Sequence, residues 1–581
     1  MSIHIERRHC DSQAVAKLAE LPPVLARIYA ARGINSTDQL DNGLEHLIAP
    51  SLLKGINEAV ASLENALRKQ QRILIVADFD CDGATSCVVA LRGLSMLGAH
   101  HLDYIVPNRF EFGYGLSPEI VAVAAERKPD LIITVDNGIA SIDGVAAANA
   151  LGIEVLVTDH HLAADTLPAA VAIVNPNQPG DEFPSKNLAG VGVIFYLLLA
   201  LRSHLRQQGW FAEQQISEPN LAQLLDLVAL GTVADVVPLD HNNRILVNQG
   251  LARIRRGLCC AGIQALLQVA GRNISDISAS DLGFIVGPRL NAAGRLDDIS
   301  LGIECLLNDE PNLVRDIASE LDGLNRDRRH IEQGMQQQAM SILEKMQLDE
   351  ALPVGLSLYD ESWHQGVVGI LASRIKERLH RPVIAFAPAD DGSGQIKGSA
   401  RSVSGVHIRD VLDAIASKHS GLLDKFGGHA MAAGLTLTGE NLAQFQQAFD
   451  QEVQRHIGRE ALRGVIQSDG ELAAEEFSES MAEILRHASP WGQAFPEPIF
   501  DGVFTLQSRR IVGEKHLKLQ LLHPMLSQVI EGIAFNQTDQ DWPEEVTQVK
   551  VAYQLDINEF RGSRTLQLLI RCIEPLNTLP H

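Results

Sequence analysis

Short, uniformly apolar runs that end in acids or asparagines set the pattern of the first third of this chain. Residues 73–76 (ILIV) are β-branched enough for a buried strand and stop at Asp78, Asp80 and Asp82 in alternation, after which Gly83 turns the chain into a helical stretch over 84–97. The same change recurs at 131–135 (LIITV) before Asp136-Asn137-Gly138, and at 155–158 (VLVT) before Asp159-His160-His161. It recurs again at 104–106 before Pro107-Asn108-Arg109, and at 172–174 before Asn175-Pro176-Asn177. Helical spacing fills the gaps at 118–127 and 141–151. Strand, helix, strand at this spacing predicts a parallel sheet with right-handed crossovers, whose strands deliver their carboxyl ends to one edge, where the ligand crevice of such sheets lies. Asp80, Asp82, Asp136, His160 and His161 are therefore expected to meet there. A further apolar run at 224–230 ends in Gly231-Thr232-Val233-Ala234-Asp235 and adds Asp235 to the set.

The remaining pattern divides the chain. Residues 1–70 read as an amphipathic helical lead-in, and the sheet domain as 71–310. Within that domain GPRLNAAGR, at 287–295, reads as a loop, either a turn with surface arginines or a phosphate contact through Arg289. Residues 311–347 are polar and helix-forming, the mark of a connector between domains. A second α/β unit is expected over 348–460, with glycine-flanked loops around WHQGVVG, GSARS and FGGHA; Ser399, Arg401, Gly428 and His429 read there as an anion cradle or as ordinary turns. From 461 to 581, alternation at 500–506, 517–522, 529–535 and 549–555 predicts short strands in a small barrel, with Arg509, Arg510, Lys515 and Lys518 as candidate phosphate contacts.

Composition narrows the function. A chain of 581 residues is too long for a single core. Its net charge of −23 argues against coating nucleic acid by bulk charge, although an acid-rich site awaiting divalent cations overstates the negative field. Seven cysteines without CxxC spacing indicate neither a disulfide framework nor zinc. The first residues lack an apolar signal core, and the apolar run at 191–201 is short enough to be a core helix, so no membrane and a cytoplasmic location are expected.

The chemistry follows from the acidic edge. No Gly-Lys-Ser/Thr follows the first strand, which excludes a P-loop, and GxGxxG is absent from that turn. A response-regulator-like pocket would not need two histidines. Buried carboxylates must be paired, protonated or bound to metal. Four carboxylates with an imidazole form a hard donor set that suits Mn²⁺ or Mg²⁺ better than zinc. A bridging carboxylate would hold two ions about 4 Å apart, the arrangement for in-line attack on phosphorus. No serine or cysteine beside a base stands out, so an activated water is the simplest attacker.

DFDCDG, VDNG, TDHH, GTVADVVPL, GPRLNAAGR and FGGHAMAAG occur in this order. The sequence in this respect resembles the DHH phosphoesterase family, and within it the bacterial single-strand-specific exonucleases. The resemblance implies a parallel-sheet DHH phosphoesterase domain, a long connecting helix, a DHH-associated α/β domain and a C-terminal OB-like barrel. It implies 5′→3′ hydrolysis of single-stranded DNA to mononucleotides with two Mn²⁺ or Mg²⁺ ions, in recombination and repair. A monomer is expected, with single-stranded-DNA-binding protein and a helicase as partners. By motif, Asp80, Asp82, Asp136, His160 and Asp235 would hold metal, with Asp136 the bridge; Asp78 would be a further acid at the metals and Asp159 a supporting one. His161 would meet the scissile phosphate or protonate the leaving oxygen. Arg109, Arg289 and Asn291 would hold DNA in the first domain, and Ser399, Arg401, Gly428 and His429 in the second. Smaller members of the family cleave oligoribonucleotides or cyclic dinucleotides, against which stand the chain's length and its extra C-terminal module. Degenerate relatives bind single strands as replication factors without cutting; those lose ligands that this chain keeps.

Overall fold

The apolar runs pair in parallel as a five-stranded sheet in the order Leu102–Ile105, Ile73–Ala77, Leu131–Val135, Glu154–Thr158, Ala172–Val174. Successive side chains of a strand point to opposite faces, and here both faces are covered. Ile73, Ile75, Ile133 and Val135 join a large core that includes the helices Cys81–Met96, Gly190–Gln207 and Leu225–Ala234. Leu74, Val76, Ile132 and Val155 instead pack with Ile120, Val121, Val145 and Ala148 of the crossover helices Pro118–Glu126 and Ile142–Ala150. This two-sided burial is why the strands read as unbroken hydrophobic runs.

The computed structural model describes residues 4–107, 115–349, 352–389, 392–458, 462, 464–513, 515–526, 528–538, 546–560 and 563–576. They form two compact units. The larger combines Arg7–Asn325 with Ser468–His581, and the smaller combines Met1–Glu6 with Arg326–Gln467. The helix Pro311–Asp349 runs unbroken from one stretch of chain into the next, as its polar pattern predicts.

In the larger unit the C-terminal strands close a five-stranded barrel in the order Phe500–Val512, His516–Leu522, Val529–Ala534, Ser563–Leu576, Gln548–Phe560. All pairings are antiparallel except that of Val529–Ala534 with Ser563–Leu576, which closes the ring in parallel. The barrel shares its interior with the rest of the unit, since Phe500, Phe504, Leu519 and Tyr553 belong to the same cluster as the sheet's inner face. Polar ties fix the junction: Arg486 bridges Asp276 at 3.0 Å and Asp556 at 2.5 Å, and the Arg32 guanidinium holds Asp469 at 2.7 Å. Tyr29 stacks near Trp491 and Phe495, with ring centroids 6.0 and 6.3 Å away.

The smaller unit has a mixed sheet in the order Lys425–Gly428, Ala432–Thr438, Gln395–Arg401, Val383–Pro388, Leu356–Tyr359, with only the last pair parallel. Phe386, Phe445 and Phe449 fill its own separate core.

Several elements differ from the sequence expectation. Of the stretches expected as glycine-flanked loops, GSARS lies largely on the strand Gln395–Arg401 and FGGHA begins on the strand Lys425–Gly428, and the helical lead-in opens with the strand His4–Arg7. GPRLNAAGR is a helix, Gly287–Leu296, and not a loop: its glycines serve close packing, for a Cβ on Gly294 would lie 2.1 Å from the Phe79 carbonyl oxygen. The run into Asp235 is the helix Leu225–Ala234, whose uniform apolarity reflects burial on all sides. The helix after the first strand begins at Cys81, earlier than expected, because Asp80 caps it. The barrel strand Ser563–Leu576 has no counterpart among the expected strands.

Candidate metal centre

Each acid of the edge is delivered by an element end, and backbone amides hold the carboxylates of Asp80 and Asp82. Asp80 ends the loop after Ile73–Ala77 as the cap of Cys81–Met96, its Oδ1 accepting from Asp82 N at 2.9 Å and Gly83 N at 3.1 Å. Asp82, in the first turn of that helix, is buried, and its carboxylate accepts from Gly190 N at 2.6 Å and Val191 N at 2.9 Å. Those amides are the start of Gly190–Gln207, so a helix N-terminus with its partial positive charge faces the carboxylate. Asp136 follows Leu131–Val135 with φ 62°, a left-handed conformation that acids tolerate better than most residues. Asp235 caps the C-terminus of Leu225–Ala234.

The imidazoles are aimed as firmly. His160 Nε2 lies 3.1 Å from Asp136 Oδ1, 3.4 Å from Asp235 Oδ2 and 4.0 Å from Asp82 Oδ2. Asp159 is buried and accepts from its neighbours: His160 N at 2.7 Å, His161 N at 3.1 Å, His161 Nδ1 at 2.7 Å and Ile139 N at 2.9 Å. The bond to Nδ1 fixes the His161 ring and leaves Nε2 as its outward nitrogen. Asn177 Nδ2 donates to the His160 carbonyl at 2.6 Å and Asn175 Nδ2 to that of His161 at 2.9 Å, so the loop is pinned from behind.

Among the described residues, three sets of ligand atoms lie close enough to hold an ion each: Asp78 with Asp80 and Asp136, Asp136 with His160 and His161, and Asp82 with His160 and Asp235. Asp136 is common to two of them. Burial, then the charge of Asp80, pushes Asp82 up to about 7, and burial with the neighbouring carboxylates holds Asp136 and Asp235 well above the usual range. Burial works against charge on His161 too, but the bond to Asp159 and the acids around it outweigh this and raise it to about 9. Burial likewise opposes ionisation of Asp159, which the hydrogen bond and charge of His161 nonetheless bring below its ordinary value. Crowded buried carboxylates on preformed backbone supports, with imidazoles between them, are the donor set of a hard divalent cation.

Sequence reasoning missed the backbone that brings these groups together. A Cβ on Gly190 would lie 2.6 Å from Asp136 Cβ, and one on Gly231 would lie 2.3 Å from Thr85 Oγ1 and 2.9 Å from Asp82 Oδ1. Both glycines precede or sit within apolar helices, and only that unusual position signals them in the sequence.

The expected DNA-holding residues are placed unevenly. Asn291 Oδ1 accepts from Cys81 N at 2.8 Å and so braces the metal loop. Arg289 is buried, with Nε 3.0 Å from Asp322 Oδ1 and Nη1 2.6 Å from the Ile285 carbonyl. Arg109 lies outside the described residues. In the smaller unit, Ser399 and Arg401 sit on one strand and Gly428 on another, both flanking Ala432–Thr438, with His429 just beyond. Arg401 Nη1 donates to Ser399 Oγ at 3.1 Å, and a Cβ on Gly369 would meet that oxygen at 2.9 Å and Arg401 Nη2 at 3.0 Å. The helix Val368–Leu379 thus starts against the arginine, which burial draws below its ordinary pKa. On the barrel, Arg510 pairs across the hairpin with Lys518, whose Nζ is 2.9 Å from Glu531.

Comparison with known proteins agrees with this architecture. Residues 72–232 match the DHH family N-terminal domain, 352–455 the DHHA1 domain and 468–572 the RecJ OB domain. The chain is 55% identical to the single-stranded-DNA-specific exonuclease RecJ of Salmonella typhimurium over 98% of its own length and 99% of that protein's, and 54% identical to that of Escherichia coli over 99% of both. The crystal structure of Thermus thermophilus RecJ in complex with Mn²⁺ superposes with a TM-score of 0.80 at 29% identity, covering 99% of this chain and 80% of that one; its Mg²⁺ complex gives 0.74 at 28%, covering 99% and 78%. With the ligand set, the two α/β sheets and the closed barrel in hand, the chain belongs to the RecJ family of single-stranded-DNA-specific exonucleases.

Proposed function

We propose that the acidic edge hydrolyses phosphodiester bonds of single-stranded DNA, starting from the 5′ end and releasing mononucleotides, in recombination and repair. The observation that carries this reading is the position of Asp136, common to the Asp78–Asp80 group and the His160–His161 group. Asp80, Asp82, Asp136, His160 and Asp235 hold Mn²⁺ or Mg²⁺, with Asp78 beside them. When bound, the cations supply a nucleophilic water at neutral pH and neutralise the charge that grows on the phosphoryl oxygens. The chain's own groups do the rest. Asp82 is fixed by the Gly190 and Val191 amides, so its carboxylate stays in place through turnover. His161, oriented through Nδ1 by Asp159, presents Nε2 to the phosphate or to the leaving oxygen. Ser399, Arg401, Gly428 and His429 bind phosphates of the strand, as does Arg109. Single-stranded-DNA-binding protein and a helicase fit the substrate as partners, the chain acting as a monomer in the cytoplasm. No described helix is long and apolar enough to cross a membrane.

A time course on 5′- and 3′-labelled single strands, with Mn²⁺, Mg²⁺ or chelator, tests the reaction. Immediate release of labelled mononucleotide from the 5′-labelled strand supports it; cleavage of oligoribonucleotides or cyclic dinucleotides in preference to DNA would replace it. The separation of roles has its own test. Arg401→Ala should lower affinity for single-stranded DNA about tenfold or more, as loss of a charged phosphate contact does, while calorimetry finds Mn²⁺ affinity unchanged. Weakened Mn²⁺ binding in that variant would contradict the division.

A further inference from the structure

We propose that Phe284 is a stacking platform for a nucleobase of the strand being cut, set beside the metal edge by a π-turn. This rests on the single-strand exonuclease reading and adds to it a residue that positions the base. Phe284 is 73% exposed, an unusual state for a phenylalanine in a folded chain, and it lies on the five-residue turn Leu282–Val286. In that turn the Gly287 N–H donates to the Leu282 carbonyl five residues back, a widened loop of helix that recurs at functional sites. Leu282 and Val286 stay buried on one side of the turn while Phe284, two residues from each, faces out.

The turn packs on the segment that carries a metal ligand. A Cβ on Gly283 would lie 3.2 Å from Val233 Cγ1, and one on Gly287 would lie 3.2 Å from Ala234 Cβ, and the next residue is Asp235. Val236 follows at φ 61°, a strained conformation for a β-branched residue, and is 62% exposed. Two bare apolar side chains therefore belong to the segments that adjoin Asp235: Val236 follows it in the chain, and Phe284 lies on the turn packed against Val233 and Ala234. A protein partner could use such a patch, but the packing of the turn on the segment that carries Asp235 favours the substrate strand as its occupant. Every base has a π-face, so stacking there is indifferent to sequence. Only an unstacked base can offer that face, so the contact also favours single strands over duplex.

The test uses the full-length protein and single strands carrying one abasic residue, moved stepwise from the 5′ end. In the wild type one abasic position should raise KM about five- to fiftyfold. Phe284→Ala should raise KM for normal strands by a similar factor, leave kcat within about twofold and lose the response to that abasic position. Phe284→Trp should restore both. A 2-aminopurine placed at the sensitive position should be quenched on binding in chelator by the wild type and by Phe284→Trp, and not by Phe284→Ala. Unchanged KM in Phe284→Ala, or the same abasic profile as wild type, overturns the proposal. If the wild type fails to cut single strands at all, the exonuclease reading fails instead, and quenching without metal still decides the role of Phe284.

Discussion

Asp136→Asn should leave a folded protein that no longer cuts. Asparagine is close in size to aspartate and tolerates the left-handed φ of 62° that this position requires, so the backbone loses nothing. What is lost is the charge common to two ligand groups. The rate on single-stranded DNA should fall about a thousandfold or more, the scale on which groups that stabilise transition-state charge are felt. Stability without metal should move the other way. Asp136 is buried against Asp82, Asp80 and Asp78, and replacing an acid whose ionisation that crowd opposes should keep stability in chelator unchanged or raise it by about 1 kcal/mol. Wild-type protein should then gain about 2.7 kcal/mol when Mn²⁺ is added at a hundredfold excess over its dissociation constant, and the variant distinctly less. Thermal unfolding with and without Mn²⁺, beside the rate, gives both numbers. A variant that cuts at near wild-type rate removes Asp136 from the site.

The second large effect comes from a single methyl group. Gly190→Ala would normally help a helix by about 1 kcal/mol, because alanine is the better helix former. Here the added Cβ lands 2.6 Å from both Cβ and Oδ1 of Asp136, while the Gly190 amide is bonded to Asp82. The helix must back away, and two ligands go with it. Displacement by about 1 Å at a reacting centre costs roughly a hundredfold in rate, and forced overpacking costs about 1–3 kcal/mol. Gly323→Ala, in the long polar helix where nothing lies within 4 Å of the new methyl, is the control, and should keep activity. Equal activity in Gly190→Ala and the control would show that the helix start does not set the ligand geometry.

These two variants mark the boundary of what the sequence reveals. Asp136 is legible because a strand buried on both faces reads as an apolar run, and an acid at its end stands out. The same holds for Asp80, Asp82 and the two histidines. Gly190 is not legible, since its importance lies in what approaches it from another strand. The helix Gly287–Leu296 is hidden for a related reason: Pro, Gly and Asn suggest a turn, whereas Gly294 is there to let the backbone reach Phe79. Leu225–Ala234 lacks a polar face, so periodicity cannot separate helix from strand, although the acid at its end still stands out. The barrel's last strand pairs with two neighbours, crosses a register shift opposite Ala552 and Tyr553, and lacks the clean alternation that announces the others.

The larger unit is also discontinuous, and this governs when the protein can come into being. Arg32 meets Asp469 across 437 residues of chain, and Arg7 meets Asp501 across 494. Closing so long a loop costs little at equilibrium, because the entropy grows only with the logarithm of its length. In time it is expensive, because such contacts form late. During synthesis the acidic edge emerges first and the smaller unit next, with its own core, while Tyr29 and its neighbours wait for Trp491 and Phe495. A polypeptide that stops before residue 468 carries every metal ligand yet leaves that apolar surface bare. Such a polypeptide should be digested by protease faster than the full chain, and in that case release of a stable nuclease is tied to synthesis of the last barrel strand.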